Sequence, residues 1–355
     1  MNRSISRFAL AIASGWMITL TPASAQTFTV PTLKPQLKFQ LKGEYNFPKV
    51  QVSADGKRVA ILHSGVAIQV WELGSEPKLL SEFKMKFPEF FTLSPSGNLL
   101  YSASEHKVYD VTTKKVVVDN LFEVCSHAFF RDENTLVLTQ NSYDSQKHTK
   151  GTITTWEIAK GKRVDKFEVP DRRFSDALLA KDGKEIWLFM SNKKFEVECY
   201  DLDTGKLART IQPEPSDPNK PYQGSGSYLS VTRDGTTLSA RLDKFRVFDS
   251  MTGKMIATIP PDWLSGSNIG IFPVGTLCLL VAYSDKPNGY GLKDRDCLLY
   301  DWKEKKGLAI LPRHTPGKDK YSWIVRAVSA DGKTVVSVSE EGEVLVYDLS
   351  SFVKK

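Results

Sequence analysis

Short stretches in which apolar and polar residues alternate, as in Lys49-Val50-Gln51-Val52 and Thr334-Val335-Val336-Ser337-Val338, follow one another along most of the chain and are broken by Gly, Asp, Asn and Pro. Period-two alternation bounded by turn residues marks half-buried strands, and the three-and-four spacing of an amphipathic helix is not found. The chain therefore reads as all-β. Two markers then recur in step. The first is a turn between the first and second strands of a unit: Ser53-Ala54-Asp55-Gly56-Lys57, Ser94-Pro95-Ser96-Gly97-Asn98, Ala180-Lys181-Asp182-Gly183-Lys184, Thr232-Arg233-Asp234-Gly235-Thr236 and Ser329-Ala330-Asp331-Gly332-Lys333, with degenerate copies at Arg131-Asp132-Glu133-Asn134 and Pro273-Val274-Gly275-Thr276. The second closes the third strand: Val70-Trp71-Glu72-Leu73, Val108-Tyr109-Asp110-Val111, Thr155-Trp156-Glu157-Ile158, Cys199-Tyr200-Asp201-Leu202, Val247-Phe248-Asp249-Ser250, Leu299-Tyr300-Asp301-Trp302 and Val346-Tyr347-Asp348-Leu349. Both markers count seven.

Each marker has a physical sense. Asp-Gly supplies the positive φ of a tight hairpin, and the aromatic side chain provides a large apolar area to bury against the adjoining unit. A four-stranded unit recurring every ~40 to 50 residues is the period of a propeller blade. On these residues the chain resembles the WD-repeat and YVTN-type β-propeller families over roughly residues 34 to 350. It departs from the full WD signature in lacking a Gly-His pair before each blade, so the side-chain network around that histidine is not implied. Tryptophan stands at the aromatic site only in Trp71-Glu72 and Trp156-Glu157. The repeated tryptophan docking motif of quinone-dependent propellers is missing. The seventh copy ends too soon after Leu349 for a fourth strand, whereas Gln36-Leu37-Lys38-Phe39-Gln40-Leu41-Lys42 alternates ahead of the first. That segment is expected to complete the last blade and close the ring, removing two open strand edges. The expected architecture is a seven-bladed propeller of four-stranded antiparallel blades, a single domain over 34–355.

Ahead of it, Met1 to Arg7 is basic, Phe8 to Leu20 is mostly apolar, and Ala23-Ser24-Ala25 ends in an Ala-x-Ala site, the pattern of a secretory signal cleaved before Gln26. An uncleaved membrane anchor is the alternative, but the apolar stretch is short for a span. Residues 1–25 are thus read as a signal peptide, 26–33 as an N-terminal segment, and the protein as periplasmic or extracellular with no stable membrane insertion after cleavage. Without Arg3 and Arg7 the 48 basic residues fall to 46 against 41 acids, a net charge of +5. The lysines scatter over predicted turns, which argues against a nucleic-acid partner. Composition is ordinary for a globular chain, with 41% hydrophobic and 25% charged residues, and excludes a disordered class. Cys125, Cys199, Cys278 and Cys297 lie in apolar strand-like runs. Cys278 and Cys297 are the best candidate pair, but the hairpin register sets them several residues apart, so buried free thiols are expected.

Loops joining second to third strands, and those entering the next blade, emerge on one face of such a ring. All long insertions fall there: Gln140 to Gly151, Gln212 to Gly226, Pro260 to Asn268, Ser284 to Asp296 and Pro312 to Ser322. They carry Tyr143, Tyr222, Trp263, Tyr290, Arg313, His314, Tyr321 and Trp323, a mixture of aromatic and cationic residues suited to a recognition face for a protein or extracellular polymer. The alternative is that these are tolerated insertions whose rings pin their own loops. Asp285, Asp294 and Asp296 fit no Ca²⁺ loop spacing, and no metal is expected. Motifs for a serine nucleophile, a zinc protease, a phosphate loop or a Cys-x-x-Cys pair are missing, and no cofactor is expected. His63, His106 and His148 fall in hairpin gaps where exposure is expected. His127 and Asp176 lie on predicted innermost strands of neighbouring blades, and with Arg326 they make the candidate site of an alternative, channel-centred hydrolase or lactonase-like enzyme. The leading expectation is a monomeric, non-catalytic binding module.

Overall fold

The computed structural model describes residues 30–42, 49–63, 67–85, 90–119, 121, 125–143, 149–169, 174–190, 196–212, 229–241, 245–259, 271–281, 296–312, 314 and 324–353. Seven antiparallel sheets stand in a ring as the blades of a β-propeller. Their first strands line the centre: Lys49–Val52, Phe91–Leu93, His127–Phe130, Phe174–Ala180, Leu229–Val231 and Ile324–Val328. In blade 6 that place is held by Ile271, bridged to Cys278. The helical structure among the described residues is the single turn Ile158–Lys160.

The first marker folds into a self-contained turn. Ser53 Oγ donates to Asp55 Oδ1 at 2.7 Å, the Lys57 N–H donates to the same oxygen at 3.0 Å, and the Arg58 N–H donates to Ser53 Oγ at 2.9 Å. Thr232 with Asp234, and Ser329 with Asp331, repeat the arrangement. Gly56 has φ of 73°, and a Cβ there would come 2.4 Å from Thr334 Oγ1 of the neighbouring blade, so backbone conformation and close approach both require glycine.

The second marker also has a local cause. Asp110, Asp201 and Asp249 each accept the N–H and the hydroxyl of the threonine three residues on, which turns the chain back into the fourth strand. The pairing of third with fourth strand slips by one residue just before the signature aromatic in blades 1 to 6. Blade 7 lacks the turn, because its fourth strand Leu37–Gln40 comes from the other end of the chain; its register runs from Leu37↔Val346 to Gln40↔Glu343 and ends just before Tyr347, where the Gln36 N–H donates to the Val346 carbonyl one residue out of register. Blades 1 and 3 slip with Glu72 and Glu157 in place of the Asp, so the slip does not depend on the Asp turn.

The apolar interior is divided into seven clusters, one in each seam between neighbouring blades. Every seam receives the signature aromatic of its later blade. Tyr109 enters the seam of blades 1 and 2, Tyr200 that of 3 and 4, Phe248 that of 4 and 5, Tyr300 that of 5 and 6, and Tyr347 that of 6 and 7. The half-buried Trp156 and Trp71 do the same between blades 2 and 3 and across the closure of 7 with 1, where Phe39 lies 5.0 Å from the Trp71 ring.

Closure reaches further than one strand. Residues 31–33 run parallel to the outer strand of blade 6, Lys306–Leu311: Leu33 N–H donates to the Ile310 carbonyl and Ile310 N–H to the Pro31 carbonyl, each at 2.8 Å. The chain then crosses to blade 7, where Lys38 Nζ meets Glu343 Oε1 at 2.6 Å. The stretch expected as a loop from Gln140 to Gly151 is largely strand, since Thr135–Tyr143 and Thr149–Glu157 stay paired out to Tyr143↔Thr149. Alternating Thr residues continue the ladder past the point where the turn composition suggested it would stop. Cys125 precedes the first strand of blade 3 instead of lying in a strand, its Sγ 3.3 Å from Tyr101 Oη. The four cysteines are free; Cys297 pairs with Val281 and Cys278 with Tyr300, so the two thiols are three rungs apart.

Deleting residues 32–42 removes pairing from blades 6 and 7 together with the burial of Leu33, Leu37, Phe39 and Leu41. At roughly 1.5–3 kcal/mol for each fully buried side chain, the loss should be on the order of 5 kcal/mol. Urea and thermal denaturation of the truncated protein should show it; a melting curve equal to that of the intact chain would contradict the closure.

Candidate functional site

The innermost strands each leave one edge facing the channel, where backbone N–H and C=O groups have no ladder partner. Side chains of the preceding blade supply partners. Gln51 donates to the Phe91 carbonyl and accepts from the Leu93 N–H, both at 3.0 Å. Asn141 does the same for the two backbone groups of Phe174, at 2.8 and 3.2 Å. Asp176 accepts the Leu229 N–H at 3.2 Å, and Ser230 accepts the Ile271 N–H at 2.9 Å. Sequence reasoning singled out Asp176 for chemistry and missed the other three. Their common signal is a polar residue on or beside an innermost strand, which no spacing rule exposes without the ring.

His127 and Asp176 do meet in the channel, on the side of the long loops. His127 Nε2 lies 3.7 Å from Asp176 Oδ1, beyond hydrogen-bond range, and Nδ1 is 3.3 Å from Thr139 Oγ1. Phe129 stacks near the imidazole, with Phe90 edge-on and Phe174 tilted at 6.1 and 6.3 Å. Burial among these rings lowers the His127 pKa to about 4, and burial raises Asp176 to about 6 against its two backbone hydrogen bonds. At neutral pH the imidazole is uncharged, and the pair is a carboxylate beside a neutral histidine. The turn-side half of the channel is different: a space of about 430 Å³ lined by Val52, Leu93, Phe130, Leu178, Val231 and Val328.

Arg326 does not join this pair. It acts electrostatically on His314, Cys297 and Tyr347, in the seam of blades 6 and 7. The sequence put His127 and Asp176 on innermost strands, and Arg326 also lies on one, Ile324–Val328, but its position around the ring follows from blade order, and blade 7 abuts blades 6 and 1. His314, expected on the exposed loop face, is 4% exposed. Its Nδ1 is 2.8 Å from Glu343 Oε2 and its Nε2 2.8 Å from Ser337 Oγ, while Lys38 reaches the other Glu343 oxygen. A histidine-centred network thus exists before blade 7, although the sequence lacks the Gly-His pair that would have announced it. Burial lowers the His314 pKa in spite of Glu343, and the ring joins the 6–7 loop to both inner strands of blade 7 and, through Lys38, to the clasp. A hydroxyl, imidazole and carboxylate in this order have the connectivity of a nucleophilic triad, but Ser337 is itself buried within the blade between Arg326 and Leu345, out of reach of a substrate.

Tyr143 lies in a paired strand, its side chain outside the description. Tyr222, Trp263, Tyr290, Arg313, Tyr321 and Trp323 lie outside the described residues, as do Asp285 and Asp294. Asp296 is buried. No group of three metal-ligating side chains occurs among the described residues. His106, expected to be exposed, is half-buried at φ 54°. Cys199 touches Arg209 at 3.3 Å, and burial holds its thiol up at about 12, so it is inert as a nucleophile near neutrality.

The ring of seven blades and its stitched channel define a β-propeller. Compared with protein-family models and with curated proteins, the chain matches none of either.

Two measurements test these assignments. Between about pH 4 and 6 the His127–Asp176 pair holds one proton, as the two groups together do when unfolded, so it adds little pH dependence. In Asp176→Asn the depressed His127 remains alone. The unfolded state then binds more protons, and stability should rise by about 2–3 kcal/mol as pH climbs from 4 to 6.5. In His127→Gln the raised Asp176 remains, and stability should fall as pH climbs from 4 to 6. Urea titrations across this range that are parallel for the three proteins would refute the assignment. Separately, His314→Ala removes the buried partner of Ser337 Oγ and of Glu343 Oε2, leaving Glu343 to Lys38, and should cost about 2–3 kcal/mol, read as a lowered denaturation midpoint.

Proposed function

We propose that the protein is an exported, non-catalytic β-propeller of the WD-repeat type that binds a protein or extracellular polymer. The observation that carries the reading is the engagement of the channel's polar groups in holding blades together. Asp176 accepts the Leu229 N–H, and His127 sits at 3.7 Å from it among phenylalanine rings without a hydrogen bond between them. The pair thereby acts as a structural link, and the channel-centred hydrolase is the weaker reading. The WD-type reading rests on the two turn markers, on the aromatic in every seam, and on the histidine network before blade 7. Export rests on the Met1–Ala25 pattern.

Recognition is assigned to the long-loop face, since loops on a rigid scaffold carry binding most often and the insertions all emerge there. The mature protein used as bait in an envelope extract should capture its partner. Shortening 284–296 or replacing Trp263 should weaken capture at least roughly tenfold while the protein stays cooperatively folded. Turn-face changes at Lys57 or Lys254 are the controls. Capture that survives the loop changes but is lost in the turn-face controls would place the partner on the other face.

A further inference from the structure

On the turn face, each glycine of the first marker approaches the preceding blade. A Cβ on Gly56 would come 2.4 Å from Thr334, one on Gly97 2.9 Å from Arg58, one on Gly183 2.4 Å from Arg131, and one on Gly235 3.0 Å from Lys181. Gly332 is looser, with Phe272 at 3.6 Å. At Gly275 of blade 6 nothing lies within 4 Å. The packing that seals the other seams is interrupted between blades 5 and 6, and a cleft of about 710 Å³ opens there. At the start of its second strand blade 5 has Thr237, the position from which Arg58 of blade 1 reaches Gly97 and Asn98 and Thr334 of blade 7 closely approaches Gly56, but here the preceding blade does not come within 4 Å of a Cβ on Gly275.

The residues that break the repeat converge on this cleft. Where the other blades place Leu73, Val111, Ile158, Leu202, Ser250 or Leu349 after the signature acid, blade 6 has Trp302. Where blades 4 and 5 have Gly205 and Gly253 at positive φ, blade 6 has Lys305 at φ 52°, as blade 2 has Lys114 at φ 60°, a conformation unfavourable for a side chain. Lys303 stands two residues before it. All three line the cleft, with Ile256 and Val274 as apolar wall and Thr236 as a hydroxyl. Trp302 is 7% exposed, and its indole N–H is buried without a partner. The acids at the cleft are already engaged: Asp182 by Arg233, and Asp234 by the hydroxyls of Thr232 and Thr236 and the Thr236 N–H. Two exposed lysines beside an apolar wall that includes the Trp302 indole thus face a volume within the range of small-molecule pockets.

We infer that the cleft between blades 5 and 6 is a binding site for a small organic carboxylate with an apolar body, the carboxylate meeting Lys303 and Lys305 and the body lying on Ile256, Val274 and the Trp302 indole. The site is on the opposite face from the long loops and stands apart from the partner binding proposed above. The mature protein is titrated with 1-pyrenebutyrate and with 1-pyrenebutanol, its uncharged counterpart, followed by pyrene emission. The acid should bind roughly tenfold tighter than the alcohol, with an affinity that falls as salt rises. Lys303→Ala combined with Lys305→Gly should remove the preference while leaving the melting temperature equal or higher, because glycine relieves the positive φ. Thr237→Arg, which fills the cleft as Arg58 fills the seam of blades 1 and 2, should abolish binding of both probes in a folded protein. The variant shortened at 284–296 should bind the acid as the parent does, which keeps this test independent of partner capture. Equal affinity for acid and alcohol, no binding of the acid, or undiminished binding in Thr237→Arg would each overturn the inference.

Discussion

A four-stranded sheet with apolar side chains on both faces has to be covered twice, and in this protein each cover is another copy of the same sheet. The requirement is met only when every blade has a neighbour on both sides, which means a closed ring. The seven seams are its expression. Each takes side chains from two blades, and each is filled by an aromatic that points back from the later one. The slip ahead of that aromatic recurs in blades 1 to 6, whether Asp or Glu follows it. A local irregularity of the ladder therefore accompanies the tertiary contact in these blades.

Ring closure creates a second demand, because strands that face a narrow channel cannot complete their ladders. Gln51, Asn141, Asp176 and Ser230 answer it by reaching to backbone groups of the next blade. These bonds tie consecutive blades at the centre, as the aromatic side chains do in the seams and the clasp does at the rim. Buried backbone groups without such partners would cost more than the bonds contribute in net stability. A polar residue beside the channel is thus first a structural part. The same holds at the rim, where Lys38, Glu343, His314 and Ser337 form a chain from the N-terminal strand to the inside of blade 7.

Several polar side chains beside the channel serve assembly, and breaks in the repeat elsewhere are informative for that reason. On the turn face the first marker is degenerate at blade 3 and at blade 6, and at blade 6, where Pro273-Val274-Gly275-Thr276 has lost its Asp, Trp302, Lys303 and Lys305 gather around a cleft. In a repeat protein most positions are held by packing that recurs. Departures that cluster in space, such as these three around one cleft, are more informative than departures that do not.

Much of this was legible in the chain by itself. Strand period, seven copies of two markers, the positive-φ glycines and the displaced fourth strand are all local properties, since Asp-Gly turns and alternating side chains act within a few residues. His127 and Asp176 were brought together correctly because consecutive blades have to touch. What the chain could not reveal depends on which copy faces which. Arg326 sits with His314, Cys297 and Tyr347 because blade 7 packs on blade 6, and His314 is buried because Glu343 and Ser337 supply partners for both its nitrogens, a pairing between residues 23 and 29 positions away. Whether Cys125 lies in or before a strand and whether a seam is closed, as at Gly97, or open, as at Gly275, depend on contacts between blades. The sequence alone determined the unit and its number; the closed ring decided which polar groups are buried, because burial is a property of neighbours that only the closed structure supplies.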